Sequence, residues 1–133
     1  MTEQGAIARR RGRRVLVVED HADSRELVLV VARRCARECV GVATAEDARR
    51  EFLETRPDIV ITDYELPDGN GLELLAWIRE NQGEHELTVM LLSAHRDTVR
   101  LRRAAMACGA LFFPKPVDLR ALHEAIAEAL DRS

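Results

Sequence analysis

Short runs of consecutive apolar residues alternate along the chain with longer stretches in which apolar residues recur every three or four positions, and the alternation repeats about five times. Val15 to Val18, Cys39 to Ala43, Ile59 to Thr62, Leu87 to Leu92 and Ala110 to Phe113 have the length and residue types of strands. Between them, Leu27, Val28, Val31 and Cys35 fall on one helical face, as do Leu72, Leu75, Trp77 and Ile78, and later Leu119, Leu122, Ile126 and Leu130. Boundary signals agree. Asp23 with Glu26 reads as a cap close to a capping box, Thr44 as an N-cap with Asp47 in the first turn, and Arg56-Pro57 as a stop. Leu66-Pro67-Asp68-Gly69-Asn70-Gly71 is a turn-rich loop, a helix rich in arginine is predicted from about Asp97 to Cys108, and Asp118 caps the last helix.

The strands are apolar almost without interruption rather than at every second position. A strand with that pattern is covered on both faces, which is the condition of a parallel sheet flanked by helices. Five successive strand-helix units therefore predict an α/β fold, a doubly wound five-stranded parallel sheet with right-handed crossovers. In such sheets the functional residues lie beyond the carboxyl ends of the strands, where the strand order reverses.

One domain accounts for 133 residues, and no linker toward a second is evident. The domain is expected over residues 14–131 and a basic, disordered leader over 1–13. Residues 1–14 hold five arginines against one glutamate, net +4, so that with −3 for the whole chain the remainder carries −7. The leader reads as a solvated segment, with nucleic acid or an acidic partner as the alternative. An aromatic content of 4% argues against base-stacking platforms for nucleic acid. No run approaches the length of a membrane span, and the N-terminus lacks a secretory signal, so the expected location is the cytoplasm. Cys35, Cys39 and Cys108 form neither an even disulfide set nor a paired zinc motif, and are expected to be buried reduced thiols. Arg100, Arg102 and Arg103 read as a solvated helix face, or alternatively a partner-binding one. His21, His85 and His123 share no ligand spacing and receive no role.

Candidate chemistry gathers at strand ends. The first and third strands run directly into carboxylates, Glu19 and Asp20, then Asp63, and the fourth ends at Ser93. Lys115, the only lysine beside nineteen arginines, sits between two prolines after the fifth. An ammonium on a flexible stem meets a crowded anionic centre without the bidentate geometry a guanidinium prefers. Three carboxylates at one edge raise each other's pKa unless a cation neutralises them. Magnesium suits an all-oxygen set of one or two carboxylates and commonly shares a phosphate. Asp63 is then a candidate nucleophile toward phosphorus, with Ser93 and Lys115 as donor and counter-charge for the phosphoryl oxygens.

Val15-Leu16-Val17-Val18-Glu19-Asp20, Val60-Ile61-Thr62-Asp63-Tyr64-Glu65-Leu66-Pro67 with Gly71, Leu91-Leu92-Ser93-Ala94 and Lys115-Pro116 together resemble the response-regulator receiver domains of two-component signalling, and a stand-alone receiver is the expectation. The resemblance implies a flavodoxin-like (βα)5 fold, Asp63 as phosphoacceptor, and magnesium held by Glu19, Asp20, Asp63 and the Glu65 main-chain carbonyl. It implies that Ser93, Ala94 and Lys115 bind the phosphoryl group and that Glu65 and His95 tune its hydrolysis. Ser93 and Phe112 match the family's switch positions, although Phe113 beside Phe112 leaves the switching aromatic open between the two. The implied function is phosphorylation-dependent signalling rather than enzymatic turnover. A sensor histidine kinase or phosphotransfer protein would supply the phosphoryl group. The fourth helix, fifth strand and fifth helix would contact a downstream protein or a second copy. Competing readings are an aspartyl-phosphate phosphatase of the haloacid-dehalogenase type, disfavoured because Glu65 stands where that family has aspartate, and a receiver-like interaction module that never sees phosphate. Neither GxGxxG nor GxxxxGK[ST] occurs.

Overall fold

The protein is described by a computed structural model covering residues 13–132, so the basic leader assigned to 1–13 lies outside the described residues except for Arg13. The five strands are β1 (Arg14–Val18), β2 (Glu38–Val42), β3 (Ile59–Asp63), β4 (Thr88–Ser93) and β5 (Ala110–Pro114). They alternate with helices α1 (Ala22–Arg33), α2 (Ala45–Thr55), α3 (Gly71–Asn81), α4 (Thr98–Ala107) and α5 (Leu119–Arg132). A small antiparallel hairpin, Glu65–Leu66 against Gly69–Asn70, fills the turn-rich loop before α3.

All neighbouring strands of the main sheet pair in parallel, in the order β2-β1-β3-β4-β5. The chain winds outward in one direction through β1 and β2 and in the other through β3, β4 and β5, so the reversal falls between β1 and β3. Successive strand residues alternate between two cores. Val15, Val17, Ile59, Ile61, Met90 and Leu92 pack under α1 and α5, whereas Leu16, Val18, Val60, Val89 and Leu91 pack under α2, α3 and α4. Both sets are apolar because both faces are covered, which is why the strands read as continuous runs.

Helix ends follow local chemistry with one exception. Thr44 accepts the Asp47 N–H at 3.1 Å, Asp97 that of Arg100 at 3.1 Å, and Asp118 those of Arg120 and Ala121. Arg56 ends α2 in the left-handed region at φ 48°, just before Pro57. Asp23, expected as the α1 cap, lies instead inside its first turn, and the cap position falls to His21 without a side-chain bond. The helix begins two residues earlier than the capping signal suggests because the His21 carbonyl already accepts the Arg25 N–H at 2.9 Å, closing the first turn ahead of Asp23. The three thiols are unpaired, as expected, but half-buried rather than buried.

Candidate functional site

Strand register decides which side chains meet at the carboxyl edge. Val18 lies beside Thr62, Asp63 beside Leu92, and Ser93 beside Pro114. Glu19 and Asp20 therefore leave β1 next to the end of β3, and Lys115 leaves β5 next to the end of β4. The Lys115 Nζ is 3.1 Å from Asp63 Oδ1 and 3.1 Å from Glu19 Oε2. The single lysine thus bridges two acids that are almost completely buried. Glu19 is held on its other oxygen as well, since Oε1 accepts the His21 N–H at 3.2 Å. The cis Lys115-Pro116 bond follows directly on this lysine.

Two buried carboxylates share one ammonium, and the charge does not balance. Burial, and then the neighbouring charge of Glu19, push the Asp63 carboxyl up to about 6, against the opposing pull of Lys115. Burial alone would lower the Lys115 ammonium, but its hydrogen bonds to Glu19 and Asp63 outweigh that and hold its pKa above the ordinary value. The site is a compact anionic pocket with one fixed positive charge. Asp20 stands apart from this pair: it is exposed, and its carboxylate groups with Glu19 and the His21 ring, their ligating atoms within 4.8 Å of one another. His21 is the neighbour that spacing rules pass over, because it stands next to the acids rather than at a helical or hairpin interval from them.

Ser93 is buried, its Oγ accepts the His95 N–H at 2.9 Å, and its carbonyl accepts the Lys115 N–H at 2.8 Å. The last bond ties the hydroxyl-bearing end of β4 to the lysine-bearing end of β5. Ala94 follows on the exposed rim. The half-buried His95 ring stands edge-on to Tyr64, 5.6 Å between centroids, and its Nδ1 accepts the Asp97 N–H at 3.1 Å. Glu65 projects an exposed side chain while its backbone pairs with Asn70 in the hairpin.

The floor of the loop after Asp63 demands glycine. The Gly71 N–H donates to the Tyr64 carbonyl at 2.7 Å, and a Cβ at Gly71 would stand 2.4 Å from the Asp63 carbonyl oxygen and 2.8 Å from Leu91 Cδ1. In the same loop Asp68 accepts the Ala45 N–H at 2.8 Å and the Glu46 N–H at 2.9 Å, clamping the hairpin to the start of α2 and lowering its own pKa. Asn70 caps α3 through the Glu73 N–H at 2.9 Å. The Asn70–Glu73 interval is a legible capping signal. The Asp68 clamp spans 23 residues and leaves no local trace.

The two phenylalanines on β5 face opposite ways, as alternate strand residues must. Phe112 packs with the α2, α3 and α4 core, and the Arg102 guanidinium of α4 lies 4.9 Å from its ring centroid. Phe113 packs with the α1 and α5 core. Only Phe112 adjoins α4.

The response regulator receiver domain model matches residues 15–127, and the chain belongs to that family. It is 34% identical over 119 residues to the response regulator protein PilR of Pseudomonas aeruginosa, covering 88% of this chain and 26% of that protein. It is 35% identical to protein-glutamate methylesterase/protein-glutamine glutaminase 3 of Burkholderia thailandensis over 99% of this chain and 37% of that protein. The chain therefore spans well under half the length of these relatives. Among solved structures it superposes on the signal receiver domain of a proposed LuxO repressor protein from Vibrio parahaemolyticus with a TM-score of 0.81 and 30% identity, covering 90% of this chain and 91% of that one. The chemotaxis response regulator CheY4 of Vibrio cholerae, 20% identical over 88% of this chain and 98% of that one, shares the fold at a TM-score of 0.77. A receiver domain is a signalling module rather than an enzyme in the ordinary sense. Among the described residues no helix is long and apolar enough to cross a membrane.

Proposed function

We propose that Asp63 accepts a phosphoryl group from a phosphohistidine on a sensor kinase or phosphotransfer protein. A carboxylate oxygen of Asp63 forms the new bond to phosphorus while the phosphorus–nitrogen bond breaks, and the imidazole departs with its electron pair. The observation that carries this reading is the Lys115 ammonium 3.1 Å from Asp63 Oδ1, a fixed positive charge beside the one nearly buried aspartate at the reversal of strand order. Lys115, the Ser93 hydroxyl and the main chain at Ala94 would receive the phosphoryl oxygens. Glu65 and His95, at the rim, would govern how readily water reaches the adduct, His95 with Tyr64 against it.

The donor set suits magnesium. The carboxylates of Glu19, Asp20 and Asp63 offer oxygens, with the His21 ring as the one nitrogen beside them, and the pocket carries more negative charge than Lys115 cancels. The carboxylates of Asp20 and Asp63 and the Glu65 carbonyl would hold the ion, with Glu19 beside them. When bound it would supply further positive charge to the phosphoryl oxygens. The consequence of phosphorylation would be read on α4, β5 and α5, through Ser93 moving toward the phosphoryl group and Phe112 turning inward behind it. That surface would contact a downstream protein.

Incubation with magnesium and acetyl phosphate, followed by intact mass, should reveal one phosphoryl group that hydroxylamine removes. It should be missing from Asp63→Asn. Steady hydrolysis of unrelated phosphate esters would favour the phosphatase reading, and no adduct would leave an interaction module.

A further inference from the structure

Four residues at the rim of the pocket, drawn from the ends of β3 and β4 and the start of α4, hold one another in a closed ring. The His95 N–H donates to Ser93 Oγ at 2.9 Å, which fixes its backbone at the end of β4. Its ring nitrogen Nδ1 accepts the Asp97 N–H at 3.1 Å. The Asp97 carboxylate in turn holds the Arg100 guanidinium, with Nε 3.1 Å from Oδ2. That guanidinium reaches the Tyr64 hydroxyl as well, and this contact, ahead of the one with Asp97, keeps the Arg100 pKa above its ordinary value. The Tyr64 ring stands edge-on to His95, 5.6 Å between centroids, and completes the circuit. Tyr64 follows Asp63 directly in the chain.

These bonds determine which imidazole nitrogen carries the proton. With Nδ1 accepting from the Asp97 backbone, the neutral ring holds its hydrogen on Nε2 and has no free lone pair. The circuit adds little to stability, because the Arg100 and Asp97 side chains are both half exposed or more, and such pairs contribute little. The start of α4 does not need the Arg100 side chain either, since it is the main-chain N–H of residue 100 that Asp97 Oδ1 caps. What the circuit does fix is the orientation of one imidazole beside the phosphoacceptor.

We propose that Arg100 and Tyr64 are positioning residues that prolong the life of the Asp63 adduct by locking His95 as a hydrogen-bond donor. The inference rests on the reading of Asp63 as phosphoacceptor. In hydrolysis a water oxygen bonds to phosphorus as the bond to the Asp63 oxygen breaks. The carboxylate keeps the electron pair, inorganic phosphate leaves, and the water gives up a proton. A histidine with a free lone pair at the rim would take that proton as a general base. With Nδ1 occupied and Nε2 protonated, His95 cannot, and the proton goes to solvent. Loss of the guanidinium frees the Tyr64 ring, the imidazole leaves Asp97, and the same side chain becomes a base.

Loading with acetyl phosphate and magnesium, removing the donor and following the phosphoryl mass with time gives the half-life of the adduct. Arg100→Ala and Tyr64→Phe should each shorten it about tenfold, short of the hundredfold of a well-placed base. The double variant should be no faster than either single one, because both break the same link. Arg100→Lys, which keeps a cation for Asp97, should restore part of the lifetime, and adding His95→Ala to Arg100→Ala should remove the acceleration. Urea midpoints of the Arg100 and Tyr64 variants should match wild type, which a merely structural role would not give. Imidazole nitrogen NMR, recorded without any phosphoryl donor, should show His95 protonated on Nε2 in wild type and a mixture of tautomers in Arg100→Ala. Half-lives indifferent to Arg100 and Tyr64, an acceleration that persists without His95, or a wild-type ring protonated on Nδ1 would overturn the positioning role and leave the Asp63 reading intact. Failure of wild type to form any adduct would overturn the Asp63 reading, and this inference with it, whatever the tautomer.

Discussion

Asp63→Asn should make the domain more stable, and the size of the gain follows from the pocket. The wild-type carboxyl is raised from 3.8 to about 6 by burial and by Glu19, net of what Lys115 returns. A shift of about two units corresponds to about 3 kcal/mol of preference for the neutral form. The folded-state pKa is the higher one, so the group contributes stability fully below pH 4, and that contribution is lost as pH rises through 6. At pH 8 wild-type Asp63 is ionised and disfavoured by that amount, whereas asparagine is neutral at every pH. Urea unfolding in EDTA should therefore place Asp63→Asn about 3 kcal/mol above wild type at pH 8, a rise in Tm of roughly 10 °C for a domain of this size. The difference should shrink through pH 6 and vanish below 4. A variant no more stable than wild type at pH 8, or a gain that does not change between pH 4 and 8, refutes the claim that Lys115 leaves this pocket under-neutralised.

Lys115→Ala should cost about 3 kcal/mol at pH 8, because it strands Glu19 and Asp63 as buried like charges; urea unfolding with a smaller loss in the Lys115→Ala/Asp63→Asn double variant checks it. Gly71→Ala should cost about 2 kcal/mol or more, since the methyl meets a backbone oxygen that cannot yield as a side-chain tip would, and wild-type stability in this variant contradicts the close approach. Asp68→Ala should lose about 1 kcal/mol with the two N–H bonds at the start of α2. The Asp68 pKa is lowered, so this deficit should be present at neutral pH and fade as acid protonates the wild-type carboxylate. Adding magnesium to a hundred times its Kd should raise wild-type stability by about 2.7 kcal/mol and reduce the gap to Asp63→Asn, with EDTA restoring it; an unchanged gap speaks against Asp63 as a ligand.

What the sequence makes legible is what is local or periodic. Continuous apolar strands announce a covered sheet, and the order of five such units yields the parallel topology without reference to side-chain contacts. The same order puts Glu19, Asp63, Ser93 and Lys115 on one edge, because a residue that ends a strand in a parallel sheet ends it on the same side as every other. Non-local and competing local effects are what escape. The Asp68 clamp joins α2 to a loop 23 residues away, and no window of sequence contains both partners. Asp23 has the residue type and spacing of a cap, but the His21 carbonyl closes the first turn on the Arg25 N–H and starts α1 before it. The ambiguity between Phe112 and Phe113 is a question of strand parity, and parity is set only once β5 pairs with β4 in a definite register, Leu91 beside Phe112. His21 carries no spacing signal because its nearness to Glu19 and Asp20 comes from a turn, not from a regular interval.

The charge count in the pocket also suggests why a change at Asp63 would reach α4. With both acids ionised, Glu19 and Asp63 exceed the single ammonium by about one charge. Replacing a carboxylate by a phosphoryl group of about two negative charges raises that excess by about one more. Lys115 already divides its ammonium between Glu19 and Asp63 at equal distances of 3.1 Å, and a stronger anion on one side ends that equality. Its main chain cannot follow freely, because the Lys115 N–H is bonded to the Ser93 carbonyl. A pull on the lysine is thus a pull between the ends of β4 and β5, the two strands that carry Ser93 and Phe112. The next contact outward is Arg102 over the Phe112 ring. A load applied at the buried aspartate and a guanidinium on the α4 surface are therefore separated by two strand ends, the backbone of β5 and one aromatic ring.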